Sequence, residues 1–163
     1  MVKVTHSVLI ARPREAVFEF VAERYFDHAR QWHPAATKLI KTAPGPIGRG
    51  TTGYEELTVA GRPYERSFAI TEWVPGKKMQ IVSLEESSKE TYRCVYNFVS
   101  AGIGTVVTVE MEMQMQTPLF KFMQTLAARA VRKDLETRIG TMLKRAVERS
   151  LLVRPAAATR LAA

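Results

Sequence analysis

The chain has 163 residues, 46% of them hydrophobic and 25% charged, with a formal charge of +8 at neutral pH. That length suits one domain with a buried core, and the balance of apolar and charged residues excludes a disordered or fibrous chain. The single cysteine, Cys94, excludes an internal disulfide; no apolar run reaches transmembrane length and no signal-peptide core precedes the first strand pattern, so a cytoplasmic protein is expected.

Val4, His6, Val8 and Ile10 share one face of the first strand, with Lys3, Thr5 and Ser7 on the other, so His6 is expected to point inward. Arg12-Pro13-Arg14-Glu15 then opens a short helix, proline early and acid in the first turn, carrying Val17, Phe18 and Val21 to about Ala22. A second short helix from about Arg24 to Arg30 ends at Trp32-His33-Pro34, where proline forbids continuation. Leu39 and Ile40 mark a brief strand. The loop 44–50 is dense in glycine and proline, but β-type residues follow it, so it is not a phosphate-binding loop.

From residue 51 to 115 the spacing predicts a meander: strands at 51–59, 63–74, 79–85, 91–100 and 103–115, joined by short turns and therefore antiparallel. Period-two alternation groups Tyr64, Arg66, Phe68 and Ile70 on one face. It also groups Tyr92, Cys94, Tyr96 and Phe98, and Val107, Val109, Met111, Met113 and Met115. Methionines at period two make a soft wall suited to ligands of imprecise shape; thioethers on one strand are a poor argument for copper.

The last pattern, 118–149, reads as one long amphipathic helix or two abutting ones, with Thr117 as N-cap, Pro118 in the first turn and Gly140 as the only interior breaker. Its apolar stripe flips near residues 131–133. Leu119, Phe122, Met123, Leu126 and Ala130 cluster on one side; Leu135, Ile139, Met142, Leu143 and Ala146 cluster on nearly the opposite side. Either the helix breaks there, or a straight helix has halves facing different partners, and we favour the second. The body of the protein then grips the C-terminal half, while Leu119, Phe122, Met123 and Leu126 cover a cavity mouth or form a surface for self-association or an anionic membrane. Residues 117–163 hold ten lysines and arginines against three acids. The scarcity of interleaved aromatic residues argues against nucleic acid as the partner of that charge. Residues 151–163, without periodicity, read as a flexible tail.

The order of elements resembles the helix-grip fold of the START, polyketide cyclase and birch-pollen-allergen superfamily, abbreviated SRPBCC, and is closest to its polyketide cyclase/dehydrase branch. Local patterns similar to that superfamily are Ile10 followed by Pro13 and Val17-Phe18, Trp32 with Pro34, Gly48 with Gly50, Glu72 with Pro75, and Gly104-Thr105-Val106. Arg12 departs from it, standing where a small residue is common. The resemblance implies an α+β domain over residues 1–150: a curved antiparallel sheet of six to seven strands wrapped around a long C-terminal helix, with two short helices after strand one. It also implies an elongated, mostly apolar cavity between sheet and helix. Relatives bind lipids, sterols, polyketides, quinones or plant hormones, some catalyse cyclisation or dehydration, and some act at ribosomes or on quinone carriers. The superfamily has no universal catalytic motif, and fold alone does not choose among these roles.

The residues offer no nucleophile triad and no metal-ligand spacing, Cys94 reads as an inert buried thiol, and no cofactor is implied. His6, Arg66, Tyr64, Tyr96 and Glu56 are the candidates for general acid–base work or for orienting a ligand. Arg66 and His6 would hold a ligand carbonyl or carboxylate with Tyr64 or Tyr96 nearby, unless a protein acid such as Glu56 neutralises Arg66. Strand parity and the second helix stripe predict a cavity lined by Phe68, Tyr96, Phe98, Val109, Met111 and Met113, facing Leu135, Ile139 and Met142. Two functions remain open. Binding of a hydrophobic small molecule, such as a lipid, quinone or polyketide-like compound, stands ahead; a polyketide cyclase or dehydrase using the same cavity is the alternative.

Overall fold

Period-two alternation over most of the chain produces seven strands that join into one antiparallel sheet. The computed structural model describes residues 1–59, 62–84, 90–115 and 128–150. The strands are β1 (Val2–Ile10), β2 (Ala36–Lys41), β3 (Thr52–Val59), β4 (Arg62–Val74), β5 (Lys78–Ser83), β6 (Glu90–Ala101) and β7 (Gly104–Met115). Their order across the sheet is β1-β7-β6-β5-β4-β3-β2, so the first two strands in the chain form its two edges. Register lines up the inward rows: His6 lies opposite Val109, Val109 opposite Tyr96, and Tyr96 opposite Met79. Of the predicted face groupings of β4, β6 and β7, Arg66, Phe68, Ile70, Cys94, Tyr96, Phe98, Val107, Val109 and Met111 are all buried and Tyr64, Tyr92 and Met113 are half-buried, while the side chain of Met115 lies outside the described ones.

The chain crosses from one sheet edge to the other through two short helices. Pro13 precedes α1 (Arg14–Phe18), which widens into a π-helical turn over Glu19–Glu23, closed by the Arg24 N–H donating to the Glu19 carbonyl at 2.9 Å. Phe18 packs edge-on against Trp73 and Phe98, with centroids 5.2 and 5.1 Å away. α2 (Tyr25–His28) tightens into a 3-10 turn, Ala29–Gln31, and stops at the fully buried Trp32. Gly53 of β3 lies where aromatic rings press on the backbone: a Cβ there would collide with Phe68 and Phe26, whose rings are stacked.

The long helix α3 occupies 128–150 among the described residues, α-helical at first, π-helical over Glu136–Leu143 and α-helical again over Lys144–Ser150. It runs unbroken through 131–133, as the favoured reading of the stripe requires. Leu135, Ile139, Leu143 and Val147 are buried at a spacing of four. In a regular α-helix such a row drifts by about 40° per step. The widened π turns offset that drift and keep the row on the sheet. Arg12, the residue that departs from the superfamily pattern, donates from Nη2 to the Glu148 carbonyl at 3.0 Å, and the Ala11 N–H donates to the Glu148 carboxylate at 3.2 Å; together they pin this helix to the end of β1.

Thr117, Pro118, Leu119, Phe122, Met123 and Leu126 lie outside the described residues, as do the turns at 60–61 and 85–89 and the tail 151–163. Ala130, placed with that first stripe, is exposed.

Candidate functional site

Where the first turns of α3 meet the sheet, the inner face of the fold opens into a cavity of about 410 Å³. Leu57, Thr58 and Arg66 line it from β3 and β4, Tyr92, Met111 and Met113 from β6 and β7. His33 and Ala35 come from the segment after α2, and Ala130, Val131, Asp134 and Arg138 from α3. The wall is mostly apolar, but it carries two guanidinium groups that are both buried. Burial of a charge demands a partner, so the partners define the site.

Arg66 donates from Nε to the Glu55 carboxylate, and its guanidinium lies 3.6 Å from the centroid of the Tyr92 ring. Burial opposes its charge, whereas Tyr92 and Glu55 favour it, and the balance holds the pKa above the ordinary arginine value. Arg138 donates from Nη1 to Asp134 at 3.1 Å, one helical turn away; its Nε is buried without a hydrogen-bond partner among the described residues. The second oxygen of Glu55 is likewise buried and unpartnered among them, with His33 Nδ1 at 3.9 Å, too far for a hydrogen bond. Burial first, then the Arg138 and Arg66 guanidiniums, pull the His33 pKa down to about 2, so this contact joins a neutral imidazole to a carboxylate and is no ion pair at neutral pH. Burial pushes the Tyr92 and Tyr96 hydroxyls above their ordinary values.

Of the residues expected to line a cavity, Met111 and Met113 line this one. Phe68, Tyr96, Phe98, Val109, Leu135 and Ile139 are inward but sit in the packed core beside it, and Met142 is half-buried and lines a separate pocket of about 440 Å³ with Gln31 and Arg145. Among the acid–base candidates, Arg66 is on the wall and Tyr64 is half-buried on the same strand. His6 faces α3 instead, its Nε2 2.8 Å from where a Cβ on Gly140 would stand. Glu56 corrects our expectation. It lies on the outer face bonded to Lys38 at 2.9 Å, and the acid paired with Arg66 is its neighbour Glu55. Leu57 and Val59 share the parity of Glu55, which was the available signal. Arg138 stands as a lone charge inside the stripe Val131, Leu135, Met142, and His33 sits in what read only as a helix stop. Among the described residues, no three His, Cys, Asp or Glu side chains converge as metal ligands, and no helix is long and apolar enough to cross a membrane.

A family model described as polyketide cyclase/dehydrase and lipid transport matches residues 1–148. Several solved structures share the fold. TTHA0849 from Thermus thermophilus superposes with a TM-score of 0.76 at 17% identity, covering 91% of this chain and 98% of that one. Ara h 8.0201 gives 0.64 at 12% identity over 93% and 98% of the two chains. The major latex-like protein 151 of Panax ginseng gives 0.58 at 14% identity over 84% and 96%. None of the curated proteins matches the chain significantly.

Proposed function

Since the chain belongs to the polyketide cyclase/dehydrase and lipid-transport family, we propose that it binds a hydrophobic small molecule, a lipid, quinone or polyketide-like compound, in the cavity between α3 and the sheet. The observation that carries this reading is the cavity itself: about 410 Å³, within the range of roughly 300 to 1,000 Å³ usual for small-molecule sites, with Leu57, Met111, Met113 and Val131 on its walls. Binding stands ahead of turnover because the histidine on the wall is a poor proton carrier. With its pKa at about 2, His33 neither donates nor accepts a proton readily at neutral pH, and Tyr92 is too weak an acid to replace it. The apolar set Leu119, Phe122, Met123 and Leu126 shortly precedes in sequence the turn of α3 that flanks the cavity. That neighbourhood supports a role for the set at an anionic membrane surface or in self-association, as a cytoplasmic binder collecting its ligand would need.

Native mass spectrometry and titration with an environment-sensitive apolar dye test the binding reading. The wild-type chain should bind the dye, and Met113→Trp, which fills the cavity from its half-buried wall, should weaken binding by about tenfold or more, the scale of one lost apolar contact of about 1.5 to 3 kcal/mol. A folded wild-type protein that carries no small molecule and ignores the dye would sink it.

A further inference from the structure

We propose that the ligand is an acid: an amphiphile whose carboxylate docks on the Nε edge of Arg138 while its hydrocarbon lies along Met111, Met113, Leu57 and Val131. This rests on the reading of the cavity as a binding site and names the chemical class that fills it.

Arg138 is 6% exposed, and its Nη1 donates to Asp134. Arg138 lines the cavity, and its Nε is shielded from solvent and has no hydrogen-bond partner among the described residues. A buried donor left unmade is a standing cost, which a ligand acceptor removes. Nε also shares one edge of the guanidinium with Nη2, and such an edge is a planar two-donor fork that matches the two oxygens of a carboxylate.

The local charge points the same way. Arg66 and Arg138 are both buried cations, and the one buried carboxylate among the described residues, Glu55, is taken by Arg66 and does not line the wall. Asp134, the partner of Arg138, has a side chain 55% exposed, so water screens its charge. His33 and Tyr92, the remaining titratable groups on the wall, are both neutral at physiological pH and contribute no charge. The buried wall therefore holds one positive charge in excess. A carboxylate entering beside Arg138 supplies the missing anion, whereas an alcohol of the same chain length leaves that excess in place.

The experiment compares sodium decanoate with 1-decanol at neutral pH, each displacing the apolar dye from the wild-type chain, from Arg138→Gln and from Arg138→Lys. Decanoate should compete better than decanol by about tenfold or more, the scale of hydrogen bonds to a charged group. That preference should vanish in Arg138→Gln and fall in Arg138→Lys, which keeps the charge but loses the fork. The Arg138 Nε–H resonance of the wild-type protein should move with decanoate and stay with decanol, a readout that stands even if the variants fail to fold. Equal competition by the two, or an unmoved resonance, overturns the acid assignment while dye binding keeps the cavity reading intact. Decyl phosphate competing as well as decanoate overturns the carboxylate as the recognised group. A wild-type chain that binds no dye and neither ligand overturns both readings together.

Discussion

His33 shows how a single residue records the electrostatics of the cavity. A carboxylate oxygen 3.9 Å away would by itself favour the imidazolium, yet burial and the guanidiniums of Arg138 and Arg66 outweigh it and hold the pKa near 2. In the unfolded chain the same side chain titrates near 6.5. Between those values the unfolded state binds one proton that the folded state refuses, so this contribution to stability is fully present above pH ~6.5 and is lost as pH falls towards 2. Wild-type stability should therefore drop more steeply than that of His33→Gln, by an extra amount of up to about 1.4 kcal/mol per pH unit between pH ~6 and ~4. Urea midpoints taken across that range check it. Parallel slopes for the two proteins would mean that His33 takes up its proton while folded. Arg66, by contrast, is neutralised by a protein acid across β3 and β4, so Arg138 is the polar anchor we propose for a ligand.

At the level of elements, β4, β6 and β7 were legible because alternation has a period of two and each strand is long enough to repeat it several times. The failure at Glu55 and Glu56 comes from the same rule. Two identical adjacent residues differ only in parity, and a one-residue error moves the chemistry to the other face of the sheet. Which inward side chains border open space and which fill the core was not legible, since Phe68, Tyr96 and Phe98 obey the same alternation as Met111 and Met113 and differ only in what packs over them. The helix carried one more ambiguous sign, Gly140. Sequence alone treats it as a loss of roughly 1 kcal/mol against alanine; the structure shows that the space of its missing side chain is filled by His6 from the edge strand β1. The two positions should therefore couple. Gly140→Ala should stabilise a His6→Ala background by about 1 kcal/mol through helix propensity, and gain distinctly less, or lose, in the wild type, where the imidazole must give way. A chemical-denaturation cycle of the four proteins measures this. Additive changes would show that β1 and α3 do not meet through this pair.

The whole molecule divides the inner face of the sheet between two jobs. In one part Phe18 packs between Trp73 and Phe98, and Phe20, Tyr25, Trp32 and Phe68 make a second group of ring contacts. In the other, the start of α3 meets Leu57, Tyr92, Met111 and Met113 around open space. Neither Phe18 nor its two ring partners line the cavity, and no cavity residue takes part in the Phe18 ring contacts. Stability and binding should then respond to different substitutions, even though every residue involved faces the same interior. Phe18→Ala should cost about 3 to 5 kcal/mol by the lost transfer energy and the hole it leaves. Measured well below its lowered melting temperature, that variant should keep dye affinity within about threefold of wild type, because neither Phe18 nor its ring partners line the cavity wall and independent sites act additively. Leu57→Ala, on the cavity wall, should change affinity more while costing less stability, since it enlarges a space that is already open. If Phe18→Ala abolished binding while the protein remained folded, the aromatic cluster and the cavity would be one cooperative unit, and the ligand would have to be sought deeper in the core.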